Sequence, residues 1–348
     1  MAIVQYLLIL LPFLFYVIVS LKKNINYQIQ PISLLTSISL LFLMSILFIL
    51  TPIEEGNDKY YYMLEFLGDT QDRDNEIGWV IYNSLFRYLL RGFVALFFWF
   101  SALIYLSSYL LLAKKLFSKE YVGYFIIMAA GSLGFAAYGC NTIRAGIAIS
   151  FLFLAYSLSS KVVIRLALVF CALLIHKTMI LPVVAFLCSY HIRNRHFVEL
   201  FWIFCLFFSV LNLDLGFLFD KISSYDQRVE DYSSSIGSDS DYGSRFRWDF
   251  LIYSVVPIYI ANLWMNRYHY FNAFYLLVYR SYVFTNAIWL LVIRIAYSDR
   301  IAYLSWFLIP IIVLFPLLSG ELHIKKAQRY LKIIMGVFIG LNVLLCMR

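Results

Sequence analysis

Charge is what this sequence has least of. Of its 348 residues, 14% are Asp, Glu, Lys or Arg, against the ~25% usual in soluble globular domains. Hydrophobic residues make up 63% and the mean hydropathy is +0.80, which excludes an ordinary soluble domain. No Lys/Arg run exceeds two residues. The net charge of +8 therefore holds no polybasic tract and is not read as nucleic-acid binding. Cysteine is also scarce. Cys140, Cys171, Cys188, Cys205 and Cys346 lie in or beside apolar segments with no CxxC pair, so neither a zinc site nor a disulfide framework is indicated. None of His176, His191, His196, His269 and His323 has metal-ligand spacing on one helical face. His191 and His196 flank Arg193 and Arg195 in a loop and read as solvated. No metal and no cofactor is expected. The N-terminus lacks both a positive charge ahead of its apolar run and a small-residue cleavage site, so it reads as an uncleaved first span rather than a signal peptide. No short internal repeat appears, nor inverted halves of the kind transporters often carry.

What the chain does have is apolar runs. They fall at 2–20, 31–51, 92–112, 121–138, 143–158, 162–175, 178–190, 197–218, 249–264, 273–293, 301–319 and 330–347. This predicts an all-α polytopic membrane protein of about twelve transmembrane helices, a single integral membrane domain over 1–348. With the N-terminus outside and sides alternating, the short inner loops hold Lys22, Lys23; Lys114, Lys115, Lys119; Lys161; Arg193, Arg195; Arg267; and Lys325, Lys326, Arg329. Short basic loops on one side are what the positive-inside rule requires. The outer side receives two long polar loops, 52–91 and 219–248, and most of the acidic residues.

In the first outer loop, residues 77–90 place apolar residues at helical spacing beside Asn83 and Arg87. That predicts an amphipathic helix lying at the membrane interface. Tyr60, Tyr61, Tyr62 and Trp79 read as interface anchors or a sugar-stacking surface. The second outer loop is rich in Ser, Asp, Gly and Tyr and is long enough to act as a lid. It ends in Arg245, Phe246, Arg247, Trp248 and Asp249. Later, Arg280 lies in the middle of an apolar segment, a placement that insertion scales put at about 3 kcal/mol. It is expected to face the bundle interior with a partner. Arg294 sits at the outer end of that segment, and Asp299 and Arg300 open the next.

The stretch from 139 to 182 organises the rest. Arg144 opens one apolar helix, and His176–Lys177 closes the next, with Ser159, Ser160 and Lys161 as the turn between. Each arm of about 15 residues covers roughly 23 Å, less than a ~30 Å bilayer core. An antiparallel hairpin returns His176 to the side where Arg144 began, with both recessed below the water interface. Ionisable residues at such depth are functional candidates by default.

The outer face thus collects Arg144, His176, Lys177, Arg245, Arg247, Arg294 and Arg300, with Asp58, Glu76, Asp249 and Asp299. Guanidinium forks suit phosphate oxygens, and aromatic residues beside carboxylates suit sugars. Together they point to a lipid-pyrophosphate-linked saccharide. The triplets Asp72-Arg73-Asp74 and Asp239-Ser240-Asp241 fit D-x-D, but such triplets arise by composition in acidic loops and are not assigned a metal.

Four motifs then occur in order: N-D-x-x-Y at Asn57, Asp58 and Tyr61–Tyr62 with E-x-G-W at residues 76–79; I-R-x-G-I-A at 143–148; H-K-T at 176–178; and R-I-A-Y at 300–303. In them the chain resembles the EpsG-type polysaccharide polymerases, relatives in role of the Wzy O-antigen polymerases, over about residues 50 to 315. Members usually carry Gln after the Arg; this chain has Ala145. The resemblance implies an inner-membrane glycosyltransferase joining oligosaccharide repeat units carried on undecaprenyl pyrophosphate at the periplasmic face, in O-antigen, capsule or exopolysaccharide synthesis. A flippase and a chain-length regulator are the partners it implies. His176, Asp58 and Glu76 are the candidate catalytic residues, since an attacking hydroxyl benefits from a general base. Arg144, Lys177, Arg245, Arg247, Asp249 and Arg300 are the candidate ligands for pyrophosphate or sugar. The alternatives are an O-antigen ligase, which shares the chemistry, and a flippase, for which Arg280 is the motive.

Overall fold

A computed structural model describes residues 2–21, 29–69, 76–157, 161–211, 246–295, 297–322, 324 and 326–346. Among the described residues all regular structure is helical, with no strand. This is the form a chain takes when its backbone polar groups must be satisfied without water. Five stretches are long and apolar enough to cross a membrane: Ile3–Ser20, Val94–Leu116, Trp248–Tyr268, Ser298–Leu318 and Ala327–Cys346. Leu34–Leu50, Ile143–Ser157, Val162–Ile175 and Lys177–His191 are apolar but shorter. The surface is inverted relative to a soluble protein. Val162, Val163, Leu166 and Phe170 are exposed, while Arg144, Glu76, Lys59 and Asn286 are buried. Water would penalise such a surface and hydrocarbon would not. The protein is a membrane protein.

The chain divides into two compact units, Met1–Ile180 with Leu314–Arg348, and Leu181–Val313. The first contains α1 (Ala2–Ser20), α2 (Leu34–Leu50), α3 (Asp58–Leu67), α4 (Ile77–Leu90), α5 (Val94–Leu116), α6 (Val122–Ala130), α7 (Phe135–Cys140), α8 (Ile143–Ser157) and α9 (Val162–Ile175). Its C-terminal helix, Ala327–Cys346, packs against α1. α8 and α9 lie together as the expected hairpin, and α8 also packs on α5. At one end of this unit loop residues bond to one another and to the first turns of helices: Gln30 N–H to Gln328, Tyr124 OH to the Gln30 carbonyl and Ile32 N–H to the Glu120 carbonyl. Gln30, Ile32 and Glu120 belong to the loops expected on the inner side.

Several boundaries differ from the sequence reading. The run at 121–138 is not one helix but α6 and α7, because Gly134 takes a left-handed φ of +85° between them, a conformation glycine adopts without steric penalty. The run at 301–319 is likewise two helices, Ser298–Trp306 and Ile309–Leu318. The first outer loop contains α3 as well as the expected α4. In the second, only residues 246–248 lie within the described residues.

In the second unit, Arg195–Val210 packs along Ala273–Leu290, which also meets Trp248–Tyr268 and Ser298–Trp306. A buried polar network joins these four helices. Asn286 donates to Ser254 Oγ and Ser305 Oγ at 3.1 Å each and accepts from Trp202 Nε1 at 2.8 Å. Trp306 Nε1 also donates to Ser254 Oγ, at 2.8 Å, and Tyr282 OH to the Ser254 carbonyl.

Candidate functional site

The site forms where the N-terminus of α4, the start of α8 and the end of α9 converge. α9 ends at Ile175, and the His176 N–H still bonds back to the Ala172 carbonyl at 3.0 Å. The chain continues with an extended residue, His176 (φ −150°, ψ 112°), and a 3₁₀ turn, Lys177–Met179. α8 begins after Thr142, whose carbonyl accepts the Gly146 N–H at 3.1 Å. α4 begins at Glu76, which occupies the N-cap position in an extended conformation without a side-chain cap bond. Its carboxylate is turned instead toward the other two elements.

Two glycines permit this convergence. A Cβ on Gly78 would lie 2.7–2.8 Å from the backbone of Leu174 and Ile175. Only glycine lets the first turn of α4 rest on the end of α9, which carries His176. A Cβ on Gly146 would lie 2.3 Å from the Tyr138 carbonyl oxygen, so α8 starts against α7 for the same reason.

The Glu76 carboxylate is the centre. Its Oε2 lies 3.1 Å from Arg144 Nη1, and its Oε1 lies 3.3 Å from His176 Nδ1. The Lys177 backbone N–H donates to Oε1 at 2.8 Å. Glu76 and Arg144 are buried, and the His176 side chain is 14% exposed. Burial pushes the Glu76 carboxyl up, but the His176 hydrogen bond, the charges of Arg144 and His176 and the Lys177 N–H outweigh it, leaving Glu76 below its ordinary value. Burial pushes His176 down and the charge of Arg144 adds to this; Glu76 and the charge of Asp58 oppose them without reversing the direction. At neutral pH Glu76 is therefore ionised and His176 neutral. An ionised carboxylate only accepts, so His176 carries its proton on Nδ1 and presents the Nε2 lone pair away from Glu76.

Further residues fix this arrangement. The Tyr62 ring lies 5.8 Å from the Arg144 guanidinium carbon and packs edge-on against Trp79 at 5.2 Å. Trp79 Nε1 donates to Glu65 Oε2 at 2.8 Å. Trp79 and Tyr62 are thus core residues under the site, which corrects their reading as interface anchors. α3 is held at both ends. Lys59 Nζ donates to the carbonyls of Phe48, Ile49 and Thr51 and to Thr51 Oγ1, at 2.6–3.2 Å, closing the C-terminal end of α2. Burial pushes this ammonium down to about 8, so it still carries its charge at pH 7. At the other end Arg87 binds the Glu65 and Phe66 carbonyls. Asp58 follows from this clamp: it is half-buried at the start of α3, close enough for its charge to act on His176.

The structure therefore brings Glu76, Arg144 and His176 together, with Asp58 nearby. Lys177 joins by its main chain, and its side chain is exposed. Arg247, Asp249 and Arg300 belong to the second unit. There Arg247 binds Asp249 through two bonds of 2.9–3.0 Å and stacks on Phe250 at 3.6 Å. Arg300 lies over Tyr297 at 5.1 Å, and Arg294 over Phe246 at 5.1 Å. Arg245 and both D-x-D triplets lie outside the described residues. Lys59, Glu65 and the core role of Trp79 were not anticipated. Only Trp79 left a signal: with Tyr82 and Asn83 it forms the buried stripe of α4 at helical spacing.

A buried carboxylate gathering a guanidinium and an imidazole at the end of a helical unit defines a membrane protein with a charged, recessed site. The chain belongs to the EpsG family, whose sequence model matches residues 34–347. That places it with polysaccharide-polymerase-like membrane proteins. No curated protein and no solved structure matches the chain.

Proposed function

We propose that this protein is a glycosyltransferase that polymerises lipid-pyrophosphate-linked oligosaccharide repeat units, with Glu76, Arg144 and His176 as its reacting centre. One observation carries the reading: three of the family-like motifs, far apart in the chain, meet on the single carboxylate of Glu76. The acceptor hydroxyl of an incoming unit gives its proton to His176 Nε2 as its oxygen bonds to the anomeric carbon of the growing chain. The bond from that carbon to the carrier's pyrophosphate breaks, and undecaprenyl pyrophosphate leaves with the electron pair. Glu76 keeps the imidazole in the required tautomer and stabilises the imidazolium that forms, the role a buried acid plays behind a catalytic histidine. Its two oxygens are already engaged by Arg144, His176 and Lys177 N–H, so Glu76 serves as the orienting acid rather than the base. Asp58 remains the second candidate base. Arg144 holds Glu76 ionised and supplies positive charge where the leaving group's charge develops. Arg247, Arg300 and Lys177 are proposed as further contacts to pyrophosphate or sugar. The active face is the outer, periplasmic one, as the basic short loops imply.

Arg280, the motive for a flippase, donates from Nη1 to the Arg193 carbonyl at 2.9 Å, in the loop between two helices. It is engaged at a helix-pair end rather than along a midplane path, which favours the polymerase reading over transport.

The test is assay in membranes with a lipid-linked repeat unit. His176→Gln keeps hydrogen bonding but loses proton transfer, so the rate falls by about 10²–10⁴-fold. The wild-type rate should stay level from about pH 8 down to the ordinary histidine value of ~6.5, and fall only on further acidification, because protonation of His176 is displaced downward. Near-normal polymer from both His176→Gln and His176→Ala would remove His176 from the mechanism.

A further inference from the structure

In the second unit, away from any residue assigned a role above, three arginines come from two helices that pack together and from the loop before the first of them, and the charge of Arg193 acts on Arg280. Arg193 lies in the loop between Tyr190 and the helix Arg195–Val210, Arg195 opens that helix, and Arg280 comes from Ala273–Leu290. Arg280 is 7% exposed. Helical side chains tilt toward the N-terminal end of their helix, so its guanidinium turns back toward the loop, where Nη1 meets the Arg193 carbonyl at 2.9 Å. Arg195 Nη2 donates to Asn266 Oδ1 at 2.6 Å, and its guanidinium lies over the Phe271 ring at 5.6 Å. Arg280 Nε and Arg195 Nη1 are buried donors with no hydrogen-bond acceptor among the described residues. The nearby acid does not neutralise them: Glu199 accepts from Tyr279 OH at 2.7 Å and pairs with His196 Nδ1 at 3.2 Å.

A buried guanidinium without a carboxylate is unfavourable by several kcal/mol, and like charges beside it add to that. An anion with several oxygens relieves both, and phosphate fits the planar fork of guanidinium donors. The surroundings indicate what the phosphate is attached to. Leu187, Tyr190, Phe197, Leu200 and Phe271 are large exposed apolar side chains on the elements flanking these arginines. A ligand with a phosphate for the arginines and acyl chains for these residues is a phospholipid. Basic pockets between membrane helices take anionic headgroups in this way. We infer that Arg193, Arg195 and Arg280 form a binding site for the phosphate headgroup of an anionic membrane lipid.

The full-length protein, purified in detergent and reconstituted in nanodiscs, is titrated with phosphatidylglycerol against phosphatidylcholine, with inorganic phosphate as a separate arm. Wild type should bind phosphatidylglycerol preferentially, and Arg280→Gln should lose that preference by roughly tenfold or more, the worth of one charge-assisted bond. Arg193→Gln, at an exposed position, should weaken it with little risk to folding. Unchanged lipid preference in both variants would overturn the site. Inorganic phosphate competing as well as the lipid would overturn the lipid assignment and identify a free-anion site.

Discussion

Each unit of this protein buries a polar network, and the two networks are built on opposite principles. Around Ser254 and Asn286 every group is neutral, and donors and acceptors use one another up across four helices. Around Glu76 the groups are ionised or titratable, they come from motifs spread over 100 residues of chain, and one atom, His176 Nε2, is left facing away from its partners. A saturated neutral network fixes one packing and has nothing left to offer a substrate. A charged cluster anchored on one carboxylate stores the desolvated charge and the oriented base that chemistry requires. Burial of polar groups alone does not mark a site; charge together with residual capacity does.

The contrast breaks most severely at its centre. Glu76→Gln takes the Glu76 charge away from the buried Arg144 guanidinium, and breaking a buried ion pair typically destabilises by about 3–5 kcal/mol. It should abolish polymer and lower the thermal midpoint of the detergent-solubilised protein. A stable, active Glu76→Gln enzyme would mean the carboxylate is incidental. Gly78→Ala should act more selectively. The added Cβ meets the backbone of α9, so α4 must lift, and Glu76 moves from His176. Displacements of about 1 Å at a reacting centre can lower rates by about 10²-fold. Polymer yield from the variant, normalised to protein in the membrane, measures this. Asn286→Leu should have the smallest effect on chemistry. It strands Trp202 Nε1, while Ser254 Oγ keeps Trp306 and Ser305 Oγ keeps the Ala302 carbonyl, a loss of about 1–3 kcal/mol for the one group left unsatisfied, and activity per folded molecule should persist. A rate defect exceeding the stability loss would give the neutral network a functional role.

Much of this was legible in the sequence, and the illegible part has physical reasons. The helical membrane class followed from composition. The pairing of Arg144 and His176 at one end followed from two short arms joined by a turn, since a hairpin must return. Which of several outer acids would meet them was not legible. Asp58 and Glu76 both precede apolar helices, and the choice rests on Gly78 permitting α4 to lie against α9, a backbone approach that spacing cannot reveal. Lys59 reads as one more loop charge, because its acceptors are main-chain carbonyls common to every sequence. The break at Gly134 was written in the chain, but the apolar run around it masked the signal. Division into two units left no compositional mark, because both are equally apolar.

The central claim is that Glu76 and His176 act as one device rather than as two independent contributors. Turnover of a lipid-linked repeat unit by wild type, Glu76→Gln, His176→Gln and the double variant tests it directly. If the carboxylate works through the imidazole, removing both should be scarcely worse than the more damaging of the two single changes, the non-additivity expected of residues that act as a unit. If the double variant loses the product of the two single effects, the residues contribute separately and the proposed dyad is wrong.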